Sequence, residues 1–148
     1  MSATDDDAIA VALSGLSCMT PARLRLLLRR HAPQDALAIV RGEQDDPAFT
    51  EHLRTWGRRV ERSTDWFARW RSELTGNTVD ERYDTFLRSG MGMVRHGHAG
   101  YPECLLDDHD APSVLYYRGD LGALDTRRAG IVGTRSATAG GLRIARSK

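Results

Sequence analysis

Lysine is all but missing from this sequence. Lys148, the last residue, stands alone beside arginine among the 21 basic residues. Such a bias fits a GC-rich genome as well as a function, and it identifies no ligand. Cysteine is equally scarce. Cys18 and Cys104 form no metal or redox spacing, which excludes a zinc ribbon and a disulfide scaffold and fits a reducing compartment. No apolar run reaches the roughly 20 residues that cross a bilayer. The opening MSATDDDAIAVALSG has no basic stretch ahead of an apolar one, as a secretory leader would. A soluble, cytoplasmic protein without membrane contact is expected. Also missing are the G-x-G-x-x-G dinucleotide fingerprint and the G-x-x-x-x-G-K-[ST] phosphate loop. There is no Ser-His-Asp order, no pair of carboxylates on one helical face, no internal repeat and no low-complexity tract. The expectation is therefore a protein with no catalytic residue and no cofactor.

What remains is enough for a core. The chain has 148 residues, 41% hydrophobic and 28% charged, with a formal charge of +1. The balance hides a gradient. Asp5-Asp6-Asp7 and Glu43 to Asp46 are acidic, whereas Arg118, Arg127, Arg128, Arg135, Arg143, Arg146 and Lys148 face only Asp120 and Asp125 beyond residue 117. That tail, about +5, suits an anionic ligand and equally suits a solvated surface.

The first part reads as helical. Asp7 to Leu13 forms a short apolar helix ending at Gly15. Thr20-Pro21 is an N-cap with proline at the first helical position, followed by Leu24, Leu27 and Leu28 on one face with Arg25 and Arg29 turned away. A third helix runs from Pro33 or Gln34 to Val40 and stops at Gly42. The turn GLSCMTP admits a helix-hairpin-helix, which touches DNA phosphates through backbone amides, or a plain bundle connection. The bundle is the preferred reading. Glu43 to Pro47 is an acidic loop. Phe49, Leu53, Trp56 and Val60 recur at helical spacing, as do Phe67, Trp70 and Leu74 in a helix started near Ser63 or Thr64. Thr78-Val79-Asp80-Glu81 is a capping-box pattern with Thr78 as N-cap. Tyr83, Phe86 and Leu87 follow as the buried face, with Gly90 in the left-handed position. Trp56, Trp66 and Trp70 invite a base-stacking hypothesis, but their helical intervals and aliphatic neighbours favour core packing.

At Met91 the texture changes. Met91 to Val94 reads as a strand, Glu103 to Leu106 as a short helical piece, and Val114 to Tyr117 as a second strand. Leu121 to Leu124 forms a turn, and Ala129 to Val132 an apolar third strand. The organisation expected is a helical domain over 1–90, with a sterile-alpha-motif-like or helix-hairpin-helix-like portion at 5–42, then an α/β domain over 91–148. His96 and His98 on a strand reach toward one side, but further metal ligands would have to be His109, Asp110 or Cys104 at no recognised spacing. Histidines in a polar loop, with no metal, are the expectation.

The strongest local signal is AGIVGTRSATAGG. A buried strand delivers the chain to a sheet edge, where a turn into a helix exposes backbone N–H groups. Gly133 permits close approach, Thr134 offers a hydroxyl, and Arg135 can hold phosphate bidentately. Ser136 and Thr138 can cap a helix beginning near Ala139 or Gly140, whose N-terminus also favours anions. Phosphate binding without cofactor chemistry fits this loop; a purely structural strand-turn-helix is the alternative.

Three stretches in order carry a resemblance. Tyr101-Pro102-x-x-Leu105, then Ala111 to Asp120 (APSVLYYRGD), then Ala129 to Arg135 (AGIVGTR) resemble the DNA-processing protein A family, DprA or Smf, over about Tyr101 to Ala145. The resemblance implies a Rossmann-like parallel-sheet domain following the helical one, and single-stranded DNA binding in the bacterial cytoplasm. It further implies protection of DNA entering by natural transformation, loading of the RecA recombinase, and a homodimer. Gly133, Thr134 and Arg135 match the family's phosphate-site motif. Ser136 stands where a more basic residue is common. The family continues through further sheet strands, so this sequence reads as an N-terminal fragment ending early in the Rossmann-like domain. Two other functions remain open. One is a nucleotide-phosphate hydrolase using the same loop. The other is a helical protein-interaction module with an unfolded tail.

Overall fold

The computed structural model describes residues 3–55, 65–127, 138–140 and 143. Helix α1 (Ala3–Ser14) is the centre of the fold. Every residue from Ala8 to Leu13 is buried, because α1 touches helices on several sides and the second strand as well. A helix apolar all round belongs inside. Its acidic first turn, with Asp5 and Asp6, complements the positive end of the helix dipole.

Helices α2 (Pro21–Leu28) and α3 (Pro33–Arg41) start on prolines as expected. The Thr20 hydroxyl accepts from the Arg23 amide at 3.3 Å. Leu24 and Leu27 are buried, and Leu28 packs half-buried against the same core. Helix α3 closes with Gly42 at φ 75°, where the Gly42 amide bonds Ile39 O and the Glu43 amide bonds Ala38 O. This is a Schellman closure, and its left-handed residue is why a glycine follows Arg41.

The acidic loop does more than connect. Asp46 is only 5% exposed, and its Oδ1 accepts from the amides of Ala48 and Phe49 at 3.0 Å each, capping α4 (Pro47–Thr55). Helix α5 (Trp66–Glu73) is capped by Asp65, whose side chain accepts from the Ala68 amide. The expected start at Ser63 or Thr64 is thus corrected by a carboxylate one residue nearer the helix. Trp70 is fully buried, stacked against Phe49 and Trp66, with Phe67 edge-on. Trp66 and Trp70 are therefore core residues, while Trp56 and Val60 lie outside the described residues.

Helix α6 (Thr78–Arg88) departs from two expectations. Thr78 is its first helical residue rather than its cap, and its hydroxyl donates to Thr75 O. Asn77 is the cap and makes no side-chain bond. Tyr83 and Phe86 stack half-buried, but Leu87 is 55% exposed, since helical rotation carries it past the face that packs on α1.

Strand β1 (Gly92–Arg95), helix α7 (Glu103–Leu106), strand β2 (Val114–Tyr117) and a 3-10 turn (Leu121–Asp125) complete the described elements. The two strands pair antiparallel, from Gly92 opposite Tyr117 to Arg95 opposite Val114. A parallel sheet was expected. A parallel crossover usually lays a helix across the sheet face, whereas the only helix in the connection at 96–113 is the four-residue α7. The apolar strand expected at Ala129 to Val132 lies outside the described residues. A Cβ at Gly92 would meet the outer end of the half-buried Tyr117 ring, which would have to swing aside. Val114 joins the helical core, and Tyr116 meets Ser14 and Phe86. What the structure describes is a helical region carrying a small, unclosed antiparallel sheet.

Candidate functional site

Gly133, Thr134, Arg135 and Ser136, the residues expected to hold phosphate, lie outside the described residues. The structure does show the ground from which that segment departs, and what other groups are available to an anion.

The helix-hairpin-helix alternative fares poorly on geometry. In the turn between α1 and α2, the amides of Gly15, Leu16 and Met19 bond carbonyls within the turn or α1. The Ser17 amide donates to Glu73 Oε2 at 3.0 Å, and Ser17 O accepts from Trp70 Nε1 at 2.9 Å. Cys18 adopts φ 58°, a left-handed conformation that strains a non-glycine residue, and its carbonyl accepts from the buried Arg23 guanidinium at 2.6 Å. That guanidinium also lies over the Trp66 ring, 5.1 Å from its centroid. The turn spends its polar groups on the core. It connects helices and leaves few amides for a phosphate.

The connection from β1 to β2 is held by the two motif pieces that flank it. Tyr101 is buried, and its hydroxyl donates to Pro112 O at 2.8 Å, tying Tyr101-Pro102 to Ala111-Pro112-Ser113. Burial pushes the Tyr101 phenol above its usual range, against the opposing effect of Arg29. His96 packs edge-on to Tyr101, and its Nε2 lies 3.2 Å from Leu106 O, a carbonyl that can only accept, so Nε2 is the donor of that contact. The His96 amide donates to Ser113 O at 2.9 Å. These residues, recognisable in the sequence as motifs, act together as a clamp.

Between this clamp and the corner of α2 and α3 lies a cleft of about 250 Å³, lined by Leu28, Arg29, Pro33, Arg95, His96, His98 and Ser113. Arg95 is nearly buried, with Nε 2.7 Å from Asp7 Oδ1 and Nη2 3.5 Å from Asp6 Oδ2. The side chains of Arg29 and His98 make no ion pair or hydrogen bond among the described residues, and both are exposed. His96 and His98 were noted from sequence. Arg29 was read only as turned away from the leucine face, Ser113 only as part of a motif and Arg95 not at all, because only tertiary packing brings the end of α2 beside the hairpin. Among the described residues, no three His, Cys, Asp or Glu side chains converge as metal ligands, and no helix is long and apolar enough to cross a membrane.

The family model for DNA recombination-mediator protein A matches residues 92–148. The match begins at the first residue of β1 and takes in the hairpin, the clamp, the basic segment and the loop at 133–136. It covers rather more than a third of the chain and leaves the helices ahead of it unmatched. No curated protein and no solved structure matches the chain.

Proposed function

We propose that this chain takes part in binding single-stranded DNA during DNA uptake, through backbone phosphates and without catalysis. The observation that carries the reading is the match of residues 92–148 to DNA recombination-mediator protein A. Its supports are the basic segment from Arg118 to Lys148 and the sequence of the 133–136 loop. Within that loop Arg135 pairs with a phosphate, Gly133 and Thr134 supply close backbone and hydroxyl contacts, and Ser136 extends the contact surface. Burial of Trp66 and Trp70 removes them as base-stacking platforms. Affinity then comes chiefly from phosphate contacts, so it is salt-sensitive and largely independent of sequence. By the same resemblance the bound strand is passed to the RecA recombinase, and two copies of the chain associate in doing so. The proposed organisation keeps a helical unit at 1–90 ahead of a Rossmann-like unit beginning at 91.

Fluorescence anisotropy with a labelled oligo-dT, at low and at physiological salt, tests the proposal. Arg135→Ala is expected to weaken binding about tenfold at low salt and to reduce the salt slope by about 0.7, the value for one phosphate contact on a single strand. Unchanged affinity and slope would remove Arg135 from the site.

A further inference from the structure

The cleft beside the clamp has no part in the proposal for the 133–136 loop, and its chemistry is unspent. Seven residues line it and none is a carboxylate. Arg29 enters just past the end of α2, and its guanidinium makes no ion pair or hydrogen bond among the described residues, though its charge is felt by Tyr101. Arg95 commits Nε to Asp7 and Nη2 to Asp6, leaving Nη1 without a hydrogen bond among the described residues. The His98 imidazole makes no hydrogen bond or ion pair among the described residues, while His96 spends Nε2 on Leu106 O. Pro33 is the first residue of α3, a nine-residue helix whose first turn has no side-chain cap, so the positive end of its dipole meets the cleft.

A second, independent observation comes from Ser113. It is 6% exposed, and its Oγ is the one buried side-chain polar atom among the described residues with no hydrogen-bond partner. An orphaned buried hydroxyl carries a desolvation cost, and this one belongs to a residue in the cleft wall, where a turn about χ1 would carry the shielded oxygen toward the space between Arg29, Arg95 and His98. A hydroxyl rotates freely and can donate to an anion as readily as accept. The nearby acids do not cancel the set. Asp6 and Asp7 are engaged with Arg95, while Asp108 acts on Tyr101 and Asp35 stands in the first turn of α3; none of them lines the cleft. At about 250 Å³ the space exceeds several waters, each occupying roughly 30 Å³ of liquid.

We infer that this cleft is a phosphate-binding site formed jointly by the α2–α3 corner and the β1–β2 connection. Arg29 and His98 hold the outer oxygens, Arg95 Nη1 an inner one, and Ser113 Oγ joins them by turning about χ1 on binding. The phosphate belongs either to a nucleic-acid backbone or to a free phosphate species. Both present the same oxygens to the same donors.

Amide chemical shifts of the isotopically labelled full chain, titrated with inorganic phosphate and with chloride as control, test this. Saturable shifts centred on His96, His98 and Ser113 are expected with phosphate and not with chloride. Arg29→Ala combined with His98→Ala, both at exposed positions, should weaken phosphate about tenfold. Ser113→Ala should weaken it several-fold while leaving the melting temperature equal or higher, since the free protein loses an unsatisfied hydroxyl. A parallel titration with oligo-dT separates the sources. Shifts of the same amides, reversed by phosphate, assign the site to a nucleic-acid backbone; shifts with phosphate alone assign it to a free phosphate species. Arg135→Ala keeps these shifts whether or not it alters oligo-dT affinity, so the two sites fail separately. Absence of saturable phosphate shifts, or equal affinity in the Arg29/His98 double variant, overturns the inference.

Discussion

Arg95 fastens the hairpin to the first helix, and the strength of that attachment can be worked out. Its Nε lies 2.7 Å from Asp7 Oδ1 and its Nη2 3.5 Å from Asp6 Oδ2. The arginine side chain is 10% exposed, whereas Asp7 is 35% and Asp6 30% exposed. At an effective dielectric near 20, the closer contact has a Coulomb energy of about 6 kcal/mol before desolvation. Burying the guanidinium cancels most of this, and the half-open carboxylates are partly screened. A coupling of about 1–1.5 kcal/mol should remain. The assay is a double-mutant cycle with Arg95→Met, Asp7→Asn and the pair, each unfolded in urea. Arg54 and Glu51 form an exposed pair at 3.3 Å and supply the comparison. Their coupling should stay below about 0.5 kcal/mol and disappear in salt. If the Arg95–Asp7 coupling is no larger than the Arg54–Glu51 coupling, the hairpin is not seated on α1 as described.

Trp70→Phe should cost about 2–3 kcal/mol in the same unfolding assay, because it strips the partner from Ser17 O and opens space beside Phe49; a loss under about 0.5 kcal/mol would show that the turn and α5 are not locked together. For Asp46, burial pushes the carboxyl up, but His31, the Phe49 amide and Arg30 outweigh it and hold the group below its ordinary value. Its stabilisation is therefore complete above the unfolded value near 4 and fades as pH falls through the lower folded value. Asp46→Asn should flatten that acid limb of a stability-against-pH curve, and an unaltered limb would remove Asp46 from the acid response.

Local signals were the most legible part of this sequence. Proline at the start of α2 and α3 and glycine after α3 fix backbone geometry through covalent structure, so no tertiary context was needed to read them. Leu24, Leu27 and Trp70 were readable because one side of each helix faces a continuous core. Side-chain caps were less so. Thr78 and Asp65 each had a competitor within two residues, and sequence alone did not separate them: Asp65 caps α5 through its carboxylate, whereas α6 follows Asn77 with no side-chain cap. Leu87 shows a related limit, since helical spacing sets which residues share a face but not how wide that face is. The pairing of β1 with β2 depends on what crosses between them, which strand propensity does not encode. At the cleft, sequence marked His96 and His98, but Arg29 and Ser113 lie far from each other in the chain and gain meaning only through the fold.

The hairpin is not an appendage, and this bears on how the basic segment after it acts. Val114 lies in the helical core, Tyr116 bonds Ser14 at 2.5 Å, and Arg25 on α2 pairs with Asp110 at 2.9 Å. Arg118 bonds Ser89 O at 3.1 Å, just past β2. A two-stranded hairpin is marginal alone in water, so its order derives from these contacts with the helices. Residues 92–148, which carry the family match, therefore begin on a base supplied by residues outside that match. A phosphate held at Arg29 and Ser113 would bridge the same two parts and strengthen their contact on binding, by the linkage that stabilises any state a ligand prefers. On this reading the helices do more than precede the segment that carries the family match. They set where it starts, and the cleft is the place where an anion would register that placement.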